Sequence, residues 1–274
     1  MHALCYEVCS VLCKNSYAQE KKTSLVVVEL ERYKKSMTYT YQDIFDALKR
    51  EKDIKKAEVS SRFFKTGKGE YGEGDVFWGI SVPTQRSIAQ KYSEASLSVI
   101  QKMLRDPVHE FRLTALLILV YAYKKGLPPQ RKKIFDFYIA HTRFINNWDL
   151  VDSSARDIVG AFLYEYGDDR ALLYKLARSA SLWEKRISII ATWFFIQKGD
   201  YKDTCAIATL HITDSHDLMH KATGWMLREM GKKSEKHLVD FLKKNYSRMP
   251  RTMLRYAIEK FPQEKRRAYL SGQV

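Results

Sequence analysis

Trp148 and Asp152, four residues apart, are the pair in this chain best suited to chemistry. They lie in Asn147-Trp148-Asp149-Leu150-Val151-Asp152, ahead of a helical run over 153–166. Helical spacing puts them on one face, one turn from each other. An aromatic wall beside a carboxylate can hold a cation, because the indole face attracts positive charge and the carboxylate adds a full opposite one. Taken alone, the hexapeptide reads as a core Trp and a capping Asp. The rest of the chain changes that reading.

Lys and Arg number 47 against 32 Asp and Glu, a formal net charge of +15. Such an excess is the electrostatic footprint of a protein that meets a polyanion, nucleic acid first. The 17 Tyr and 5 Trp add stacking surfaces for bases and sugars. Four cysteines, Cys5, Cys9, Cys13 and Cys205, show no paired zinc spacing and read as reduced thiols of a cytosolic protein. No metal ligand set is expected. No apolar run reaches the ~20 residues that span a bilayer, so no membrane partner is expected either. The expected location is cytoplasmic and nucleoid-associated.

The elements that must position Trp148 and Asp152 are helices. Hydrophobic residues make up 45% of the 274 positions, with only 12 Gly and 6 Pro falling mostly between apolar periodic runs. Residues 1–36 lack a clear helical stripe and read as an extension. Residues 37–274 read as a single domain of helix pairs. The predicted helices cover 41–56, 57–65, 84–92, 109–124, 130–142, 169–180, 183–197, 201–211, 217–230, 236–245 and 250–261, besides the Trp148 element. Between the second and third lies a loop, Gly67 to Gly74, dense in glycine. It is either a plain connector or a flap over a ligand groove.

The second helix of each pair opens with a polar residue before an apolar run: Arg112, Asp152, Arg186, Lys221 and Arg255. They recur about every 34–40 residues, the period of HEAT- or armadillo-like stacking. Stacking lines equivalent positions along one surface. The expected fold is therefore an all-α HEAT-like solenoid, curved, with a concave basic face. Four cations in such a row suit a duplex backbone, and Asp152 is the exception among them. Trp225, four after Lys221, and Trp148 flank polar positions of the row. Trp78, Trp183 and Trp193 read as core.

The chain shows no nucleophilic Ser or Cys with a His partner. A lone carboxylate between indoles can instead stabilise a developing sugar oxocarbenium ion, or orient water toward it. A base made cationic by alkylation leaves without a strong general acid. The chemistry points to cleavage of an N-glycosidic bond on damaged DNA.

The sequence resembles the AlkD family of DNA alkylation-repair glycosylases, built of HEAT-like repeats. The resemblance covers about residues 39–270 and rests on GEGDVFWGISVPTQR at 72–86, NWDLVD at 147–152, WEKR at 183–186 and KATGWMLRE at 221–229. It implies excision of positively charged N3- and N7-alkylpurines, such as 3-methyladenine and 7-methylguanine, from duplex DNA. It implies no cofactor, no metal and no base flipping, and the expected state is a monomer. By resemblance Trp148 and Trp225 pack on the deoxyribose, Asp152 is the catalytic carboxylate, and Arg186 holds a phosphate. The expected DNA contacts are Arg112, Lys221, Arg228, Arg255, Phe63, Arg86 and Lys68. Two positions depart from the family: Asn147 is a second Trp in some members, and Phe63 is a Tyr. The alternative readings are a non-catalytic HEAT-like module that binds distorted or branched DNA, and a protein-binding scaffold.

Overall fold

The computed structural model describes residues 39–167 and 170–274, and these are all-α. The extension at 1–36, with Cys5, Cys9 and Cys13, lies outside the described residues. The helices are α1 (Tyr41–Lys49), α2 (Ile54–Phe63), α3 (Val82–Lys91), α4 (Leu97–Leu104), α5 (His109–Lys125), α6 (Pro128–Ala140) and α7 (Trp148–Asp152). A π-helical turn (Arg156–Gly160) leads into α8 (Ala161–Glu165). Then follow α9 (Ala171–Ala177), α10 (Leu182–Gln197), α11 (Lys202–Leu210), α12 (Asp217–Lys233), α13 (Glu235–Asn245), α14 (Arg251–Ala257) and α15 (Gln263–Ser271).

Local chemistry sets several ends differently from the periodicity. The first predicted helix stops at Lys49, because Asp53 accepts from the Lys56 N–H and caps α2 instead. Ser96 caps α4, a helix not expected from the sequence although Ile100, Met103 and Leu104 show its spacing. Gln263 opens α15, also unexpected, directly after Pro262. Gly231 does not close α12, which runs on to Lys233.

The second helices of the pairs pack side by side in chain order: α5, then α7 with its π turn, then α10, α12 and α14. This is the stacking the row of polar residues predicts. α5 is buried on nearly every side, which is why its sequence is apolar almost all round. Two helical glycines let the stack close. A Cβ on Gly160 would sit 2.1 Å from the Ala191 carbonyl oxygen of α10, and one on Gly224 would sit 2.5 Å from that of Met253 on α14. No rotamer relieves a clash with backbone. Gly160→Ala is therefore expected to lower stability by about 1–3 kcal/mol, despite Ala's better helix propensity. Urea denaturation checks it; a variant as stable as wild type would show that the helices can part freely.

Candidate active site

Asp152 ends α7, and its carboxylate faces α10. Arg186 there donates Nε–H to Asp152 Oδ1 at 2.9 Å and Nη2–H to Oδ2 at 2.8 Å, a two-pronged pair. Its Nη1 donates to the Leu218 carbonyl oxygen of α12 at 2.6 Å. Asp152 and Arg186 thus join three successive helices of the stack. The Asp152 side chain is 16% exposed and that of Arg186 is 5% exposed. Burial pushes the Asp152 carboxyl above the usual carboxylate range, against the opposing pull of Arg186 and with a small further push from Asp149.

Trp148 opens α7, one turn before Asp152, and is half-buried. Its indole stacks on Phe64 at 5.2 Å and meets the edge of Phe63 at 5.9 Å. Phe63 is 63% exposed at the end of α2. Trp225 belongs to a different layer. It lies two turns beyond Leu218 on α12, edge-on to Trp193 at 5.0 Å, with its indole N–H on Glu229. The Arg156 guanidinium lies over the Trp193 ring at 4.6 Å. Trp193, like Trp225, is half-buried and packs against the hydrophobic core.

The expected cations divide into two groups. Arg86 on α3, Arg255 on α14 and Lys68 in the glycine-rich loop are exposed. Lys221 is open to solvent beside Asp217. Arg228 is held by Glu259 and Glu229. Arg112 is not an exposed cation of the row at all. It is buried, bonded to Asp75 at 2.5 Å and to the carbonyls of Asp106 and Pro107. The loop places a carboxylate where the row alone would leave solvent. That loop also reaches across the stack: the Tyr71 ring meets Trp183, one turn before Arg186, at 6.1 Å.

Behind Trp148 lies a polar cluster that the sequence reading passed over. His109, the first residue of α5, has Nδ1 3.0 Å from Asp75 Oδ2 and Nε2 2.8 Å from Asp149 Oδ2. Asn147 caps α7, accepting the Trp148 N–H, and donates to Asp75 at 3.3 Å. Its burial in this cluster is the local reason an amide stands there. A cavity of about 560 Å³ opens beside the cluster, walled by Phe64, Phe77 and Leu113 with His109, Glu110 and Asp149; Asp152 is not part of its lining. Among the described residues no group of His, Cys, Asp or Glu could hold a metal ion, and no helix is long and apolar enough to cross a membrane.

The family model described as DNA alkylation repair enzyme matches residues 44–261. The chain belongs to that family. A predicted DNA alkylation repair enzyme from Enterococcus faecalis shares the fold, with a TM-score of 0.60 over 78% of this chain and 98% of that one, at 14% identity. No similar sequence was found among curated proteins.

In this DNA alkylation repair protein the buried cluster also sets a pH response. Burial works against a charged His109, but Asp149 and Asp75 outweigh it and raise its pKa to about 9. The unfolded value is about 6.5. A folded pKa raised in this direction stabilises fully below about pH 6.5 and is lost as pH rises through about 9, on the order of 3 kcal/mol. Denaturation midpoints from pH 6 to pH 10 should fall in wild type and stay flatter in His109→Gln. Parallel curves would remove the charge from His109.

Proposed function

We propose that this chain is a monofunctional DNA glycosylase. It hydrolyses the N-glycosidic bond of positively charged N3- or N7-alkylated purines in duplex DNA without everting the base. The observation that carries the reading is the Asp152 carboxylate, largely buried and held at both oxygens by Arg186, one turn from the Trp148 indole.

The chemistry needs little else. As the C1′–N bond breaks, its electron pair leaves with the base, which departs neutral because it began cationic. The sugar gains positive charge. Asp152, in surroundings that hold little water, stabilises that charge and orients a water toward C1′. The water oxygen bonds to C1′ and its proton passes to the carboxylate. Trp148 and Trp225 pack against the deoxyribose and add attraction for the cation. Arg186 directs three N–H groups at Asp152 and Leu218, so its first task in this reading is to hold the carboxylate rather than a phosphate.

Arg86, Lys68, Lys221 and Arg255 are the groups assigned to the DNA backbone, with Phe63 against the lesion and Arg228 available once it leaves its carboxylate partners. Arg112 is not among them, since a buried guanidinium paired with Asp75 does not reach a phosphate. Incubation with methylated duplex DNA should release 3-methyladenine and 7-methylguanine as free bases. Tight, salt-sensitive binding with no base released would replace this reading by that of a non-catalytic binder of distorted DNA.

A further inference from the structure

We infer that His109 is a positioning residue for Trp148: an imidazolium clamped between Asp75 and Asp149 that sets how the indole meets the substrate's sugar. The inference rests on the glycosylase reading for what Trp148 touches, but not for how Trp148 is held.

Trp148 has weak local support. α7 is five residues long, too short to be stable by itself. It ends at Asp152 with Ser153 as its C-cap, and the chain then enters a π turn. What holds its start is side-chain chemistry on both neighbours of Trp148. Asn147 binds Asp75, and Asp149 binds His109. The other Asp149 oxygen is buried without a hydrogen-bond partner, so the His109 contact is the anchor of that carboxylate. Asp75 itself accepts from Arg112, His109 and Asn147, tying the end of the glycine-rich loop to the same point.

The geometry sets the charge state of His109. Both ring nitrogens face carboxylate oxygens within 3.0 Å. A neutral imidazole donates from one nitrogen only, so one carboxylate would meet a lone pair. The imidazolium satisfies both. With Arg112 it also balances the charge of Asp75 and Asp149. The neighbouring Glu110 does not disturb this balance, because its carboxylate is taken by the N–H groups of Trp78, Gly79 and Ile80. The ring is 2% exposed and packs on Phe77 at 4.6 Å and on Phe64 at 4.9 Å. Phe64 then stacks on Trp148. The clamp therefore acts on the indole twice, through the backbone beside it and through the ring beneath it.

The test uses the full chain. In His109→Gln the amide donates to only one carboxylate and carries no charge. The indole N–H resonance of Trp148, identified by its loss in Trp148→Phe, is expected to move. Single-turnover excision at saturating protein should fall about 10- to 100-fold, the cost of a misplaced group, with the Kd for undamaged duplex unchanged. Asp75→Asn keeps every ring in place and removes one of the two charges that hold the imidazolium; it should shift the same resonance, and it carries the test if His109→Gln does not fold. An unmoved Trp148 resonance in the variant that folds overturns the inference. So does a loss of binding equal to the loss of rate, which would mark a general collapse. A moved resonance in a protein whose wild type excises nothing would instead overturn the glycosylase reading and leave the clamp standing.

Discussion

Asp152→Asn is expected to bind alkylated duplex DNA as wild type does and to excise on the order of 10³-fold more slowly. The amide keeps the shape of the carboxylate. Its oxygen still accepts from Arg186, so the link between α7 and α10 survives in part. What is lost is the negative charge opposite the developing sugar cation, and with it the acceptor for the water's proton. The interaction is stronger in the transition state than in the ground state, so its removal appears in the rate constant rather than in affinity. Single-turnover kinetics beside a binding isotherm separates the two. Excision within a few-fold of wild type would remove Asp152 from the chemistry. Because burial raises the Asp152 carboxyl, wild-type excision should also fall with acidification starting above the usual carboxylate range, and rise as pH increases through that value.

Arg186→Ala is expected to lower stability by about 3–5 kcal/mol, because it leaves a largely buried carboxylate without its partner. The Leu218 carbonyl oxygen loses its donor as well. The sign of the pH dependence follows from the direction of the shift. Without Arg186 the folded-state pKa of Asp152 rises further above its unfolded value near 3.9. Below that unfolded value the group is protonated in both states and carries no ionic penalty. The penalty grows as pH rises toward the folded pKa. The deficit of the variant should thus be smaller at acid pH than at neutral pH, which urea denaturation at the two values checks. Arg186→Lys should recover part of the stability, since one ammonium cannot serve Asp152 Oδ1, Oδ2 and Leu218 at once. A deficit under about 1 kcal/mol in Arg186→Ala would place the pair among exposed ion pairs.

The row of polar residues shows how much of the site can be read from the chain. Arg112, Asp152, Arg186, Lys221 and Arg255 each lie four or five residues into a helix of the stack, which in the short α7 is the last position rather than the opening one; a helix repeat fixes that spacing locally. What each of them faces is a different matter. Asp152 and Arg186 neutralise one another, Arg112 is taken by Asp75, and Arg255 is open to solvent. The Asp75 pairing had no periodic signal, since it comes from an irregular loop. A hint of the clamp was present in Asp149, beside Trp148, and in His109 at a helix start. Phe64 stood next to Phe63. Trp193 carried the same type of signal as Trp225, and only their contact at 5.0 Å shows that they share a layer.

The sequence by itself determined the helical class, the repeat, and the placing of an indole one turn from a carboxylate, since all three depend on spacings within a helix or one repeat. Tertiary structure decided which charges remain free, what backs Trp148, and which layer holds Trp225. Those depend on groups 34 to 72 residues apart coming within hydrogen-bond reach, and helical periodicity carries no information about contacts between one helix and a distant loop.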